Sequence, residues 1–312
     1  RGRTKNVRGH GRGKVTTKNK AKFLVCIGDT HFGDSFAVCP CDKGSKGIEL
    51  DYGGVYQPTD MQKWLYKCWR FTWDEWIPKI VNGDTWSLLH MGDVVEGCHH
   101  DARHQITQKP AFQKRIALEM LSPIVKAAKA SGGEYFQIRG TDAHAGIEAD
   151  TEEDIARELK AFKIGSQYSH VDLKLNLQGK NVHAAHHIGS SGVFTGRHRA
   201  LAVEYAEALI ESARWADEHK VKGKTVEVIV KPDVVIRGHR HAPEEIRFLT
   251  SRGYNYSIVT PAWQLKTPFC AKVVGARQAV PVIGATVLCH NSDELYTRSQ
   301  VWGMKDKGYT TI

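Results

Sequence analysis

Asp29 and His31 stand two residues apart, just beyond an apolar run, Phe23-Leu24-Val25-Cys26-Ile27, that reads as a buried strand. In extended backbone, side chains i and i+2 share a face, so this spacing sets a carboxylate beside an imidazole. The pair suits a borderline divalent cation such as Mn, Fe or Zn. Alone, it is equally an ordinary strand-to-loop turn with two polar residues. Four later predicted strands, however, end in the same kind of residue. Thr85 to Met91 leads to Gly92-Asp93, and Glu134 to Ile138 leads through Arg139-Gly140-Thr141 to Asp142-Ala143-His144. Val182 to Ala185 leads to His186-His187, and Asp233 to Arg237 leads to Gly238-His239-Arg240-His241. Five such endings in a chain with 16 histidines are hard to reach by chance. In open α/β sheets ligands gather at the carboxyl ends of strands, so these side chains are expected to converge. The set is rich enough for two metal ions, with Asp93 as the natural bridge. Two ions about 3.5–4 Å apart activate a water and clamp the oxygens of an in-line displacement at phosphorus.

Some histidines keep a bland reading beside the functional one. His186 and His187 are adjacent, so in extended backbone only one of them can face the site. His186 closes the apolar run and is favoured, with His187 at the rim. His99, His100 and His104 follow Asp93 on a loop; they could touch a substrate phosphate, or simply be exposed loop polarity. His183 reads as a half-buried strand residue.

The elements that must position these groups alternate between strand and helix. Residues 32–57 are Gly-rich and read as a long surface loop. From Pro58, the spacing of Met61, Trp64, Leu65, Cys68, Trp69, Thr72 and Trp76 predicts a helix packed against a sheet. A second helix is expected over about 109–129, bent or broken at Pro123. Thr151-Glu152-Glu153-Asp154 reads as an N-cap with an acidic first turn, opening a helix to about Lys163. A hairpin turning at Gln178-Gly179-Lys180 and an amphipathic helix over 198–219 follow. The last strands are expected at Tyr254 to Val259 and at Val280 to Leu288.

Composition narrows the class. A 41% hydrophobic and 25% charged chain of 312 residues is that of a globular protein with a substantial core. No apolar stretch approaches the roughly 20 residues of a membrane-spanning helix, and no membrane partner is expected. Seven cysteines, an odd and scattered number, point to a reducing compartment, hence to the cytoplasm. Cys39-Pro40-Cys41 is the close pair, and no second pair completes a tetrahedral zinc set. Of the net charge of +10, nine units lie in residues 1–22, which hold nine Lys and Arg and no acid. That stretch is expected to be a disordered arm attracted to polyanions, nucleic acid above all, or a solvated leader with no role. The organisation read from the chain is a basic tail over 1–22, one domain over 23–290 and an extension over 291–312.

The order Asp-x-His, Gly-Asp, Gly-polar-His, His, Gly-His-x-His resembles the calcineurin-like metallophosphoesterase superfamily. The resemblance runs from about Phe23 to Gly284. It looks closest to phage-borne metallophosphoesterases related to DNA-repair exonucleases, through Gly28-Asp29-Thr30-His31-Phe32-Gly33, the Trp64-to-Trp69 helix, Gly92-Asp93-Val94-Val95-Glu96-Gly97, Arg139-Gly140-Thr141-Asp142-Ala143-His144 and Pro261-Ala262-Trp263-Gln264-Leu265. It implies a four-layer α/β/β/α sandwich with two mixed sheets, the metallo-dependent phosphatase fold. It also implies that Asp29, His31 and His241 hold one ion, His186 and His239 the other, and Asp93 lies between. Two divalent ions would be bound, Mn first, with Fe, Zn or Mg as alternatives.

One departure bears on the chemistry. The superfamily reads Gly-Asn-His where this chain has Gly140-Thr141-Asp142-Ala143-His144. Either Asp142 or the Thr141 hydroxyl replaces the Asn at the metal, or Asp142 only orients His144. His144 is the expected general acid. The implied reaction is attack by a metal-bridging hydroxide on a phosphodiester, with nucleic acid as the expected substrate. A phosphomonoesterase or protein phosphatase is the competing enzyme reading. A nucleic-acid-binding accessory protein with an impaired metal site is the reading from another class.

Overall fold

The computed structural model describes residues 21–42, 47–99, 104–188, 196–218, 231–251, 253–268, 282–291 and 294–303. The first twenty residues of the basic tail lie outside them. The tail's last two residues belong to the fold, because Ala21 is buried and Lys22 donates its backbone N–H to Thr85 O at 3.0 Å.

Five short strands with apolar interiors carry the architecture: β1 (Phe23–Ile27), β4 (Trp86–His90), β5 (Tyr135–Ile138), β8 (Lys180–Ala185) and β9 (Val234–Arg237). The first sheet has the order β13-β12-β1-β4-β5-β6, completed by β6 (Ser169–His170), β12 (Val282–His290) and β13 (Leu295–Gly303). In it β1, β4, β5 and β6 run parallel, while β12 runs antiparallel to both its neighbours, β1 and β13. The second has the order β10-β11-β9-β8-β7, completed by β7 (Asp172–Leu177), β10 (Glu244–Thr250) and β11 (Gly253–Val259). Both sheets are therefore mixed. A small ribbon pairs β2 (Ile48–Glu49) with β3 (Val55–Tyr56).

The period-two alternation of β1 shows how the layers form. Leu24 and Cys26 join an inter-sheet core with Leu173, Val182, Val234 and Ile236 of the second sheet. Val25 and Ile27 face the opposite way, into a larger core with Leu65 and Trp69 of α1 (Asp60–Phe71) and Ile116 and Leu121 of α3 (Pro110–Ala130). On the far side of the second sheet, Tyr205 and Ala208 of α6 (Gly196–Glu218) pack on Val235. Helix, sheet, sheet, helix is the four-layer α/β/β/α order expected from the sequence.

Thr59 caps α1 in a reciprocal box with Gln62, and the helix then passes through a π-turn, Thr72–Trp76, into α2 (Ile77–Val81). The aromatic stripe is packing: Trp69 is buried, with ring centroids 6.0 Å from Phe32 and 4.8 Å from Trp263, whereas Met61 is exposed. Gln178 and Gly179 turn β7 into β8 with φ of 49° and 92°, both left-handed as a two-residue hairpin turn requires.

Several expectations are corrected. α3 runs unbroken through Pro123, because buried Met120, Leu121, Ile124 and Val125 anchor the helix on either side of it. The loop read as surface is not surface at its start: Phe32, Asp34, Ala37, Val38 and Cys39 are fully buried. Thr151 does not cap its helix. The helix α5 (Asp150–Glu158) starts after a left-handed Ala149, has no side-chain cap and stops before Lys163. Residues 295–303 form β13 and pair along their length with β12.

Candidate metal centre

The parallel strands deliver their carboxyl ends to one edge. Met91 N donates to Ile27 O, Asp29 N to Gly92 O and His31 N to Asp93 O (2.7–3.0 Å), locking the turns after β1 and β4 together. Gly238 N donates to His186 O at 3.0 Å, locking the ends of β8 and β9, and His239 N reaches across the sheets to Asp29 Oδ1 at 3.0 Å.

At this edge the backbone leaves the extended state. Asp29, His31, Asp93, His239 and His241 all have left-handed φ, between 41° and 69°. Such non-glycine conformations each cost on the order of 1–3 kcal/mol and persist where the surroundings enforce them, typically at functional sites. Asp29 and His31 share a side for that reason, and not through the period-two geometry of a strand. Close approach of the turns also needs residues without side chains. A Cβ on Gly140 would sit 2.1 Å from Asp93 Oδ1, and one on Gly92, whose φ is 95°, would sit 2.8 Å from His186 Nδ1.

Among the described residues four groups of potential ligand atoms result; two of them, Asp29–His31–His241 and Asp93–His186–His239, are built from the expected ligands, and the other two, His31–Glu96–His144 and Asp34–Glu96–His104, share Glu96. Asp93 Oδ2 faces both groups of expected ligands, at 3.1 Å from His186 Nε2, 4.0 Å from His239 Nδ1 and 3.9 Å from His31 Nε2. His241 Nε2 lies 3.2 Å from His31 Nε2 and 3.4 Å from Asp29 Oδ1. Asp29, Asp93, His31 and His186 are buried, and the His239 side chain is 44% exposed, so the second group opens to solvent. His187 is exposed beside it, its ring centroid 5.2 Å from that of His239.

These atoms suit a cation. His186 donates through Nδ1 to Met91 O at 2.7 Å, which leaves a lone pair on Nε2 when the ring is neutral. That buried Nε2 has no hydrogen-bond partner although Asp93 Oδ2 is 3.1 Å away, so two electron-rich atoms point into shared space. His31 repeats the pattern: its Nδ1 meets Glu96 Oε2 at 3.0 Å while its Nε2 faces another imidazole nitrogen. Without a metal, protons hold the cluster together. Burial lowers the basicity of His31, but the bond to Glu96 and the charges of Glu96, Asp93 and Asp29 outweigh it and raise His31 to about 9. His186, opposed by burial and favoured by Asp93, rises to about 10. Burial works against the charge on Asp93 and Asp29 as well, yet the facing histidines hold both below the usual carboxylate range.

Asp142 is not drawn in. It is exposed at the start of a single helical turn, α4 (Asp142–Ala145), and belongs to none of these groups. Thr141 is the residue that turns inward, donating to Asp93 Oδ1 through its N–H (2.7 Å) and its hydroxyl (3.1 Å). His144 stands edge-on to His31 with ring centroids 4.4 Å apart, its Nδ1 bonded to Glu96 O. Burial and the charge of His31 lower it to about 4.

Three supporting residues lie outside the sequence reading. Glu96, 1% exposed, meets His31 and also binds His99 (3.2 Å) and Gln264 (3.0 Å). Its signal was a carboxylate placed directly after the apolar pair Val94-Val95. Fully buried Glu152 accepts from Val94 N (2.8 Å) and Gly140 N (2.7 Å); in sequence it is one acid of a helical first turn. Burial and Asp93 push it up to about 7. His90, buried behind the turns, sits 3.0 Å from Thr30 Oγ1 and accepts from Gly92 N, and burial lowers it to about 3. Of the loop histidines, His104 pairs with Asp34 at 3.0 Å, and His100 lies outside the described residues.

No family model matches the chain, and no curated protein does. Among solved structures it is similar to vacuolar protein sorting 29 from Cryptosporidium parvum, with a TM-score of 0.31 and 10% identity over 90% of this chain and 98% of that one. A likeness at that level identifies neither family nor function.

Proposed function

We propose that the chain is a metal-dependent phosphoesterase that hydrolyses phosphodiester bonds in nucleic acid. The observation that carries this reading is the single oxygen, Asp93 Oδ2, turned toward both ligand groups. Asp29, His31 and His241 would hold one divalent ion, His186 and His239 the other, and Asp93 both. The ions, Mn in the first instance, supply Lewis acidity at the phosphoryl oxygens and an activated water. The remaining work belongs to the chain. Glu96 fixes the ring of His31, so its Nε2 stays turned inward. His144 keeps Nδ1 on the Glu96 carbonyl, so protonation places a donor at Nε2 for the leaving oxygen. An anionic phosphate beside that ring favours its charged form and counters the effect of burial. The nine positive charges of residues 1–22 support a polyanionic substrate.

A second reading is a nucleic-acid-binding protein with an impaired metal site. The exposure of Asp142 favours it, because the second ligand group then lacks the donor that the superfamily takes from Asn. One experiment separates the readings: incubation with Mn²⁺ and bis- and mono-(p-nitrophenyl) phosphate, alongside single- and double-stranded DNA. Cleavage of the diester and of DNA, abolished in Asp93→Asn, is the expected result. Preference for the monoester indicates a phosphatase, and DNA binding with no hydrolysis indicates the second reading.

A further inference from the structure

Cys39 and Cys41 flank Pro40 in the segment between the metal-side turn and α1, and their sulfurs lie 3.8 Å apart. The Cys41 thiol also folds back onto the Cys39 carbonyl at 3.3 Å, so the backbone between them is turned and both side chains leave it on one side. The ends of the turn are fastened. Val38 N donates to Trp263 O at 3.2 Å on one side, and Asp42 accepts from the Tyr66 hydroxyl on the other. Exposure divides the pair, since Cys39 is fully buried and Cys41 is partly open to solvent.

We propose that Cys39 and Cys41 are a redox-active dithiol that closes to an intramolecular disulfide by exchange with a low-molecular-weight disulfide such as oxidised glutathione. The thiol of Cys41 is held below its usual range by the Cys39 S–H, against burial and with help from the Lys63 ammonium; that of Cys39 is pushed up by the same contact and by burial. Cys41, the member partly open to solvent, is therefore the attacking thiolate, and buried Cys39 is the resolving thiol. The Cys41 sulfur attacks one sulfur of the small disulfide and expels one thiolate, leaving a mixed disulfide. Cys39 attacks the Cys41 sulfur and passes its proton to the departing sulfur, so the second small molecule leaves as a thiol. Two protein thiols are oxidised and one small disulfide is reduced to two thiols. In a reducing compartment such a pair cycles, as sensing disulfides do. The chemistry needs neither the metal centre nor the function proposed above, so its test stands apart from theirs.

The folded full chain is equilibrated in glutathione buffers of increasing oxidised fraction, quenched by alkylation and analysed by peptide mass spectrometry. The expected product has lost two thiols, with Cys39 and Cys41 joined in one peptide. Cys39→Ser should instead accumulate a glutathione adduct at Cys41, and Cys41→Ser should leave Cys39 unmodified. The proposal is overturned by retention of both thiols at the highest oxidised fraction, by joining of either residue to another cysteine, or by equal modification of Cys39 in Cys41→Ser.

Discussion

Glu96 is where the proposed metal ligands and the proposed proton donor meet. It holds His31 at 3.0 Å, and its backbone carbonyl holds His144. A carboxylate behind a ligand imidazole fixes the tautomer and raises ligand basicity, and losing it typically costs 10–100-fold in metal affinity. Glu96→Gln should therefore weaken Mn²⁺ binding by about 10- to 100-fold, read by titration calorimetry, with hydrolysis recovering at saturating Mn²⁺. Unchanged affinity would show that the carboxylate is not what orients His31. His144→Ala probes the other side. Metal uptake should persist while turnover falls by roughly 10²- to 10⁴-fold, most for diesters with poor leaving groups. Equal losses across leaving groups would remove His144 from the donor role. Asp142→Ala is the contrasting variant. Its exposed side chain predicts a change within about 0.5 kcal/mol in stability and metal binding, whereas Thr141→Val, which strips a hydroxyl from Asp93, should cost roughly 0.5–1.5 kcal/mol in binding.

Between elements, Glu152 is the clamp. From the first turn of α5 it takes the N–H of Val94 beyond β4 and that of Gly140 beyond β5, so one carboxylate sets the spacing of two ligand turns. Glu152→Ala orphans both donors in a buried site at about 1–3 kcal/mol each. A lowered Tm together with weaker Mn²⁺ binding is the expected pair of results. A lowered Tm with unaltered binding would make the clamp structural alone. The parallel strands that carry these turns were legible because strands buried on both faces read as near-continuous apolar runs, as Phe23 to Ile27 does. β10 and β13 lie at sheet edges, where Arg247, Arg298 and Gln300 are tolerated on the open face, and polar residues hid both strands. Which residues converge at this edge could be read from the strand endings, but the left-handed backbone at Asp29 or His241 could not, because Asp and His are enriched in that conformation without being confined to it. Glu152 was equally hidden: an acid early in a helix looks the same whether it faces water or two backbone amides from other elements.

Across the whole molecule, protons and cations compete for one cluster, and pH decides the balance. His31 and His186 are raised in the fold to about 9 and about 10, against about 6.5 in an unfolded chain. A raised folded value means the ion-free fold binds those protons more tightly than the unfolded chain does. Their stabilisation is complete below pH ~6.5 and is lost as pH rises through about 9 to 10. A metal ion needs the same nitrogens bare, so its binding releases protons throughout that window. Asp29 and Asp93 stay ionised, and His90 and His144, lowered to about 3 and about 4, stay neutral above pH 6, so none of the four adds a slope. Mn²⁺ affinity should accordingly climb from pH 6.5 to 9, by roughly tenfold per pH unit for each proton displaced. The gap in Tm between the Mn²⁺-loaded and chelator-treated protein should widen over the same range. Calorimetry in two buffers of different ionisation enthalpy counts the protons directly. Release of about one proton per site at pH 7, two for the whole centre, is expected, and release near zero would mean that His31 and His186 are not the groups a metal displaces.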